Sequence, residues 1–211
     1  MAETVRHIGR ANLAKRIDSL EGRVERSLYR DGSVRFELVD GGALVVAPPF
    51  GLTHETDHDG LVAAPLLEEL ARDRVVAAVL VRLGGYALGV FDGERLVASK
   101  TGARFVKGRH KKGGSSANRF RRRREGQERE LVDEAAAEAA RVLGPWRDRV
   151  EAVALGGDRA AVRRVLEARL DLAWLEPLAV ERFFTVPEPR RRVLDELPYE
   201  LYASRVVEEA G

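Results

Sequence analysis

Three apolar runs stand almost end to end in the middle of this chain: Val75–Arg82, Tyr86–Phe91 and Arg95–Ser99. Only Gly84-Gly85 and Asp92-Gly93 separate them. Connections so short and glycine-containing join antiparallel neighbours, because a parallel crossover needs a dozen or more residues. The segment is therefore held to an antiparallel meander. After it, Phe120, Leu131, Ala135, Ala139 and Val142 line one face of a helix predicted from an Asn118 N-cap to about Leu143, where Gly144-Pro145 stops it. A strand at Val150–Leu155, a turn at Gly156-Gly157 and an amphipathic helix over Arg159–Leu170 follow. A meander followed by such a βα unit predicts an α/β domain with a mixed, largely antiparallel sheet and helices.

The flanks read less sharply. Ile8, Leu13, Ile17 and Leu20 fall near helical spacing, and strands are expected at Val34–Leu38 and Ala43–Ala47 around Asp40-Gly41-Gly42. Thr53–Gly60 reads as a polar loop and Ala64–Arg72 as a short helix. Beyond the middle, a strand at Val180–Val186 and short helices around Arg190–Leu197 and Glu200–Glu209 are predicted. This gives an N-terminal helix and hairpin (1–60) packed on a main domain (61–175), with a strand and helix extension (176–211). At 211 residues and 45% hydrophobic, the chain can bury a sizeable core. It has no cysteine, which excludes disulfides, thiolate metal sites and thiol nucleophiles. No apolar leader opens the sequence and no run approaches a membrane span, so a soluble, cytoplasmic protein with no membrane partner is expected.

Charge carries the functional signal. Ten Lys/Arg and no acid lie between Arg104 and Arg124, leaving 26 basic against 34 acidic residues elsewhere, a net of −8. The cationic stretch 104–124 contains Lys107, Arg109, His110, Lys111 and Lys112, then Gly113-Gly114-Ser115-Ser116, then Arg119 and Arg121, Arg122, Arg123 and Arg124. Paired glycines allow close backbone approach to a ligand, and the free N–H groups of a helix start favour anions. Cations this dense against an acidic body point to nucleic acid or a phosphate-rich ribonucleoprotein.

The run GYALGVFDGERLVASKTGARFVKGRHKKGGSSANRFRRRRE resembles the catalytic domain of archaeal and eukaryotic class-one release factors. There a meander leads into a K-x-x-G-G-Q-S-A-x-R-F loop and a long helix. Gly113, Gly114, Ser116, Ala117, Arg119 and Phe120 stand where that pattern has its Gly, Gly, Ser, Ala, Arg and Phe, and Lys111 lies one residue nearer the glycines than its Lys. VEAVALGGDRAAVRRVLE is similar to the strand, turn and helix that follow. Among stand-alone forms the chain most resembles the actinobacterial Vms-like release factors, regarded as peptidyl-tRNA hydrolases acting on stalled ribosomes. The resemblance implies a ribonuclease-H-like sheet and hydrolysis of peptidyl-tRNA on stalled or split large ribosomal subunits. Its implied partners are the large subunit, ribosomal RNA and the tRNA acceptor end, without a cofactor. Gly113, Gly114, Ser115 and Ser116 would carry the chemistry, and the flanking cations the RNA. Cleavage of the tRNA near its CCA end, or binding without catalysis, are the alternatives.

One departure stands out: Ser115 occupies the place of the pattern's glutamine. The sole glutamine of the chain, Gln127, lies about nine helical residues beyond Asn118, roughly 13 Å along the axis, on the Phe120/Leu131 face, and reads as structural. His54 and His58, within His54-Glu55-Thr56-Asp57-His58-Asp59, read as a solvated polar turn rather than a metal site. Gly156-Gly157 lacks G-x-G-x-x-G spacing, which argues against a nucleotide cofactor. Trp146 and Trp174 are expected to pack.

Overall fold

The meander predicted from the glycine spacing is present. The structure, a computed structural model, describes residues 3–82, 84–103 and 115–211. It divides the chain into two compact units, residues 1–72 with 197–211, and residues 73–196.

In the second unit the meander consists of strands here called β6 (Val75–Arg82), β7 (Gly85–Asp92) and β8 (Arg95–Ala103). The first unit supplies β1 to β5, given below. Helix α3 (Ser115–Leu143), strand β9 (Ala152–Gly157) and helix α4 (Arg159–Glu167) follow. The sheet order is β8-β7-β6-β9, with β9 parallel to β6 and the other pairs antiparallel. Single parallel bridges from Val153 to Ala179 and from Gly156 to Phe184 occupy a fifth position outside β9. Three antiparallel strands followed by parallel ones is the ribonuclease-H-like order expected above.

The predicted strand at Val180–Val186 is reduced to these bridges. Val180 and Phe184 donate their N–H groups to Val153 and Leu155, and Pro187 and Pro189 have no N–H with which to extend the ladder. One sheet face buries Val79, Val81, Tyr86, Leu88 and Val90 against Leu131, Ala135 and Ala139 of α3, and Val162 and Val165 of α4 join the same core. Each fully buried Val or Leu contributes roughly 1.5–3 kcal/mol. Trp146 and Trp174 pack on this core, as expected. On the other face Leu194 lies against Gly89, where an added Cβ would approach its Cδ2 to 3.2 Å.

The first unit is a six-stranded antiparallel sheet. Its elements are β1 (Glu3–Gly9), α1 (Arg10–Asp18), β2 (Val24–Arg30), β3 (Ser33–Leu38), β4 (Ala43–Ala47), β5 (Asp57–Asp59) and α2 (Ala64–Ala71). Helix α5 (Arg191–Leu201) runs across the division between the units, and β10 (Ala203–Glu209) closes the sheet in the order β1-β10-β4-β3-β2-β5. Asp31-Gly32, with φ of 51° and 70°, makes the two-residue turn between β2 and β3. Leu13, Ile17, Tyr29, Phe36, Val46 and Leu66 form the core.

Four local expectations change here. Residues 203–209 are a strand rather than a helix, because β10 finds partners on both sides, β1 and β4. The helical reading of the first thirty residues holds only over α1, between two strands. The polar loop contains β5, held by its pairing with β2. Helix α3 begins at Ser115, so Asn118 lies inside the first turn instead of capping it.

Candidate RNA-binding site at the basic loop

The cationic segment leaves the second unit's sheet at Ala103. The register fixes what surrounds that point: Gly85 pairs with Ala103, Arg82 with Gly85, and Val81 with Gly157. The ends of β6, β8 and β9 and the start of β7 therefore share one rim. Positions 104–114, which include Lys107, Arg109, His110, Lys111, Lys112, Gly113 and Gly114, lie outside the described residues.

The chain re-enters the described structure as helix at Ser115, so Ser115, Ser116 and Arg119 belong to the first two turns of α3. The first four N–H groups of a helix have no acceptor inside it and carry the positive end of its dipole. At 1.5 Å per residue the 29 residues of α3 span roughly 43 Å. Among the described side chains of this helix, Arg122 and Glu125 to Glu130 are exposed or half-buried, and full burial is reached at Leu131. An added Cβ at Gly126 would meet nothing within 4 Å. Arg121 to Arg124 are consecutive residues of this helix, and the Arg122 side chain is exposed.

Polar contacts tie the lower part of α3 to the sheet. Tyr86, fully buried on β7, donates its hydroxyl to Glu134 Oε1 at 2.9 Å. Burial and the Glu134 carboxylate hold that phenol well above the ordinary tyrosine range, so it stays a donor at physiological pH. An added Cβ at Gly102 would lie 2.4–2.5 Å from Tyr86 ring atoms and its hydroxyl, so glycine there admits the ring. Lys100 approaches Glu138 at 3.9 Å, and Arg164 of α4 reaches Glu128 at 3.6 Å. Sequence reasoning missed the Tyr86–Glu134 pair; its signal was an acid one residue before Ala135 on an otherwise apolar face. Tyr86→Phe removes a hydrogen bond to a charged group and is expected to cost about 1.5–3 kcal/mol. A urea midpoint equal to the parent's, at unchanged slope, would contradict this.

Gln127 is half-buried, and its Oε1 is buried without a hydrogen-bond partner among the described residues. Gly156-Gly157 is not a free turn. It ends β9, and Asp158 caps α4 by accepting from Ala161 N at 3.0 Å.

The His54/His58 segment, in the first unit, is more ordered than the expected solvated turn. The rings stack at 5.2 Å with Nε2 atoms 2.9 Å apart, and Tyr29 meets them edge-on at 4.8 and 6.1 Å. Its own burial pushes the Tyr29 phenol up to about 12. Among the described residues no group of three or more His, Cys, Asp or Glu could hold a metal ion, and no helix is long and apolar enough to cross a membrane.

The model of the family described as Actinobacteria/chloroflexi VLRF1 release factor matches residues 74–207. Among solved structures, an archaeal translation termination factor, aRF1, is similar at 14% identity and a TM-score of 0.45, over 92% of this chain and 73% of that one. An archaeal protein is similar at 14% identity and a TM-score of 0.41, over 90% and 69%. No curated protein matches the chain.

Proposed function

This chain belongs to the actinobacterial and chloroflexi VLRF1 release factor family, and on that premise we propose that it is a peptidyl-tRNA hydrolase. In this reading it frees nascent peptide from tRNA on stalled or split large ribosomal subunits, in ribosome rescue and quality control in the cytoplasm. The observation that carries the reading is that α3 is helical from Ser115, directly after Gly113-Gly114 in the sequence, with Arg121 to Arg124 following in the same helix.

The chemistry asks for positioning rather than a strong nucleophile. Water attacks the ester carbonyl carbon, an oxyanion forms, and the bond from that carbon to the ribose 3′ oxygen breaks. The peptide leaves as the acid and the tRNA with its 3′ hydroxyl restored. Backbone N–H groups at a helix start, aimed where the oxyanion develops, supply the required stabilisation. Gly113 and Gly114 let the backbone come close, the Ser115 N–H donates, and the hydroxyls of Ser115 and Ser116 help hold the water. Lys107, Arg109, His110, Lys111, Lys112, Arg119 and Arg121 to Arg124 hold ribosomal RNA and the acceptor end.

The test is incubation with large subunits carrying labelled peptidyl-tRNA, resolving free peptide and the length of the tRNA 3′ end. Peptide with full-length tRNA is expected, with release lowered at least about 10²-fold in Gly114→Val, where a β-branched side chain fills the close approach. Peptide still joined to a shortened 3′ end would reassign the protein as a CCA-end nuclease. Ser115 in place of glutamine favours a second reading, a ribosome- or tRNA-binding factor without catalysis, which bound but unchanged substrate would establish.

A further inference from the structure

The rim from which the basic segment departs carries cations of its own, in parts of the sequence with no concentration of charge. Arg82 ends β6, and Arg159 opens α4 two residues after Gly157. Through the pairs Ala103–Gly85, Gly85–Arg82 and Val81–Gly157 the rim crosses three strand spacings, roughly 14 Å. Both arginines are exposed and neither pairs with a carboxylate among the described residues, whereas Arg141, Arg163, Arg169, Arg191 and Arg192 all do.

The two guanidinium groups are nonetheless held in place. Arg159 lies over the Phe183 ring at 4.2 Å, and Arg82 donates from Nη1 to the Val186 carbonyl at 2.8 Å. Arg182 stacks beside them over Phe184 at 4.9 Å. A guanidinium stacked on a ring keeps its N–H edge free, and loses less freedom when that edge binds two phosphate oxygens. Two acids of these segments are engaged, as Asp158 caps α4 and Glu188 pairs with Arg190 at 2.6 Å, while Glu181, next to Arg182, makes no ion pair among the described residues. Because Asp158 fills the helix start, the anion-binding groups here are the guanidiniums rather than the α4 N-terminus.

We infer that Arg82 and Arg159 form a second phosphate-binding site, which grips the backbone of the tRNA acceptor arm while the basic segment reaches its 3′ end. This rests on the proposed function and adds to it a fixed platform. The basic segment and the start of α3 engage the end of the RNA, and the rim sets the direction from which the arm arrives. Single-stranded and double-stranded stretches share the phosphate chemistry. The site is assigned to the arm because the rim lies on the sheet where β8 ends, whereas Ser115 lies about 24 Å along the axis of α3 from Leu131, where that helix packs on the sheet.

The experiment is a fluorescence-anisotropy titration of the full chain with an acceptor-arm RNA minihelix ending in CCA, repeated from 50 to 200 mM KCl. Arg82→Gln and Arg159→Gln are each expected to weaken binding and to reduce the salt slope by about 1, and by about 2 together. Arg163→Gln, which loses an arginine already paired with Glu167, should leave the slope unchanged. Glutamine at the four positions from Arg121 to Arg124 should lower the slope separately and additively. Melting temperatures of all variants are recorded, and Arg159→Lys, which keeps the charge, should restore most of the slope. An unchanged slope in the folded Arg82/Arg159 double variant would overturn this inference and leave the proposed function standing. A parent protein that does not bind the minihelix would overturn both.

Discussion

Gly157→Ala is expected to destabilise the second unit by roughly 3–5 kcal/mol, combining backbone strain with a steric clash. Gly157 has φ of +100°, a conformation open to glycine and strained for any other residue. Its missing side chain is also the space that lets β9 close on β6. An added Cβ would lie 2.1 Å from the Val81 carbonyl oxygen, 2.9 Å from its carbon and 3.1 Å from Arg82 Cγ. That oxygen accepts the Asp158 N–H at 2.7 Å, so a shift made to relieve the clash would break the bond that leads into α4. It would also displace the Asp158 cap and Arg159. Backbone rather than the tip of a flexible side chain is in the way, so relaxation is costly. Thermal unfolding should show a fall of roughly 10 °C or more at the scale usual for domains of this size. A melting temperature within two degrees of the parent would mean that the close β6–β9 approach at this rim is wrong. If the variant folds at reduced temperature, its RNA-binding slope should fall together with that of Arg159→Gln.

What the sequence displayed, and what it hid, follows the range of the interactions involved. The meander was legible because its signals are local: apolar runs bounded by Gly84-Gly85 and Asp92-Gly93 specify hairpins without reference to the rest of the chain. Helix α3 was legible for the same reason, through the repeat from Leu131 to Val142. Its start was placed too late because Asn118 has good capping chemistry, yet Ser115 and Ser116 are already helical. Strand β10 was illegible. Ala203–Glu209 sets Val206 and Val207 side by side between Arg205 and two glutamates, which suits a helix as well as a strand, and only pairing with β4 and with β1, nearly two hundred residues earlier, decides it. The same distance hid β1, and β5 exists only because β2 offers an edge. At the candidate site, charge density exposed the basic segment in one dimension. Arg82 and Arg159 became part of it only through sheet register, and Tyr86 only through the contact with Glu134.

Ser115→Gln is the substitution with the largest expected gain in activity. In the class-one release factor pattern that this loop resembles, a glutamine follows the two glycines; here a serine does. Position 115 is the first residue of α3, so the exchange alters a side chain at the positive end of a 29-residue helix while keeping the backbone N–H. Serine brings one short hydroxyl. Glutamine brings an amide with two donors and an acceptor on a chain two carbons longer, able to orient the attacking water and still reach the developing oxyanion. Removing one oriented polar group from such a site costs on the order of 10²–10³ in rate, so supplying one is expected to raise single-turnover peptide release by up to about 10²-fold. Ser115→Ala separates backbone from side chain. A rate within a few-fold of the parent would assign the existing activity to the N–H groups and the two glycines. A loss near that of Gly114→Val would instead assign it to the serine hydroxyl. If Ser115→Gln leaves release unchanged while binding to the subunit is intact, the loop does not present position 115 to the ester as release factors do. The glutamine-type mechanism would then be wrong for this protein, even though the chain belongs to a release factor family.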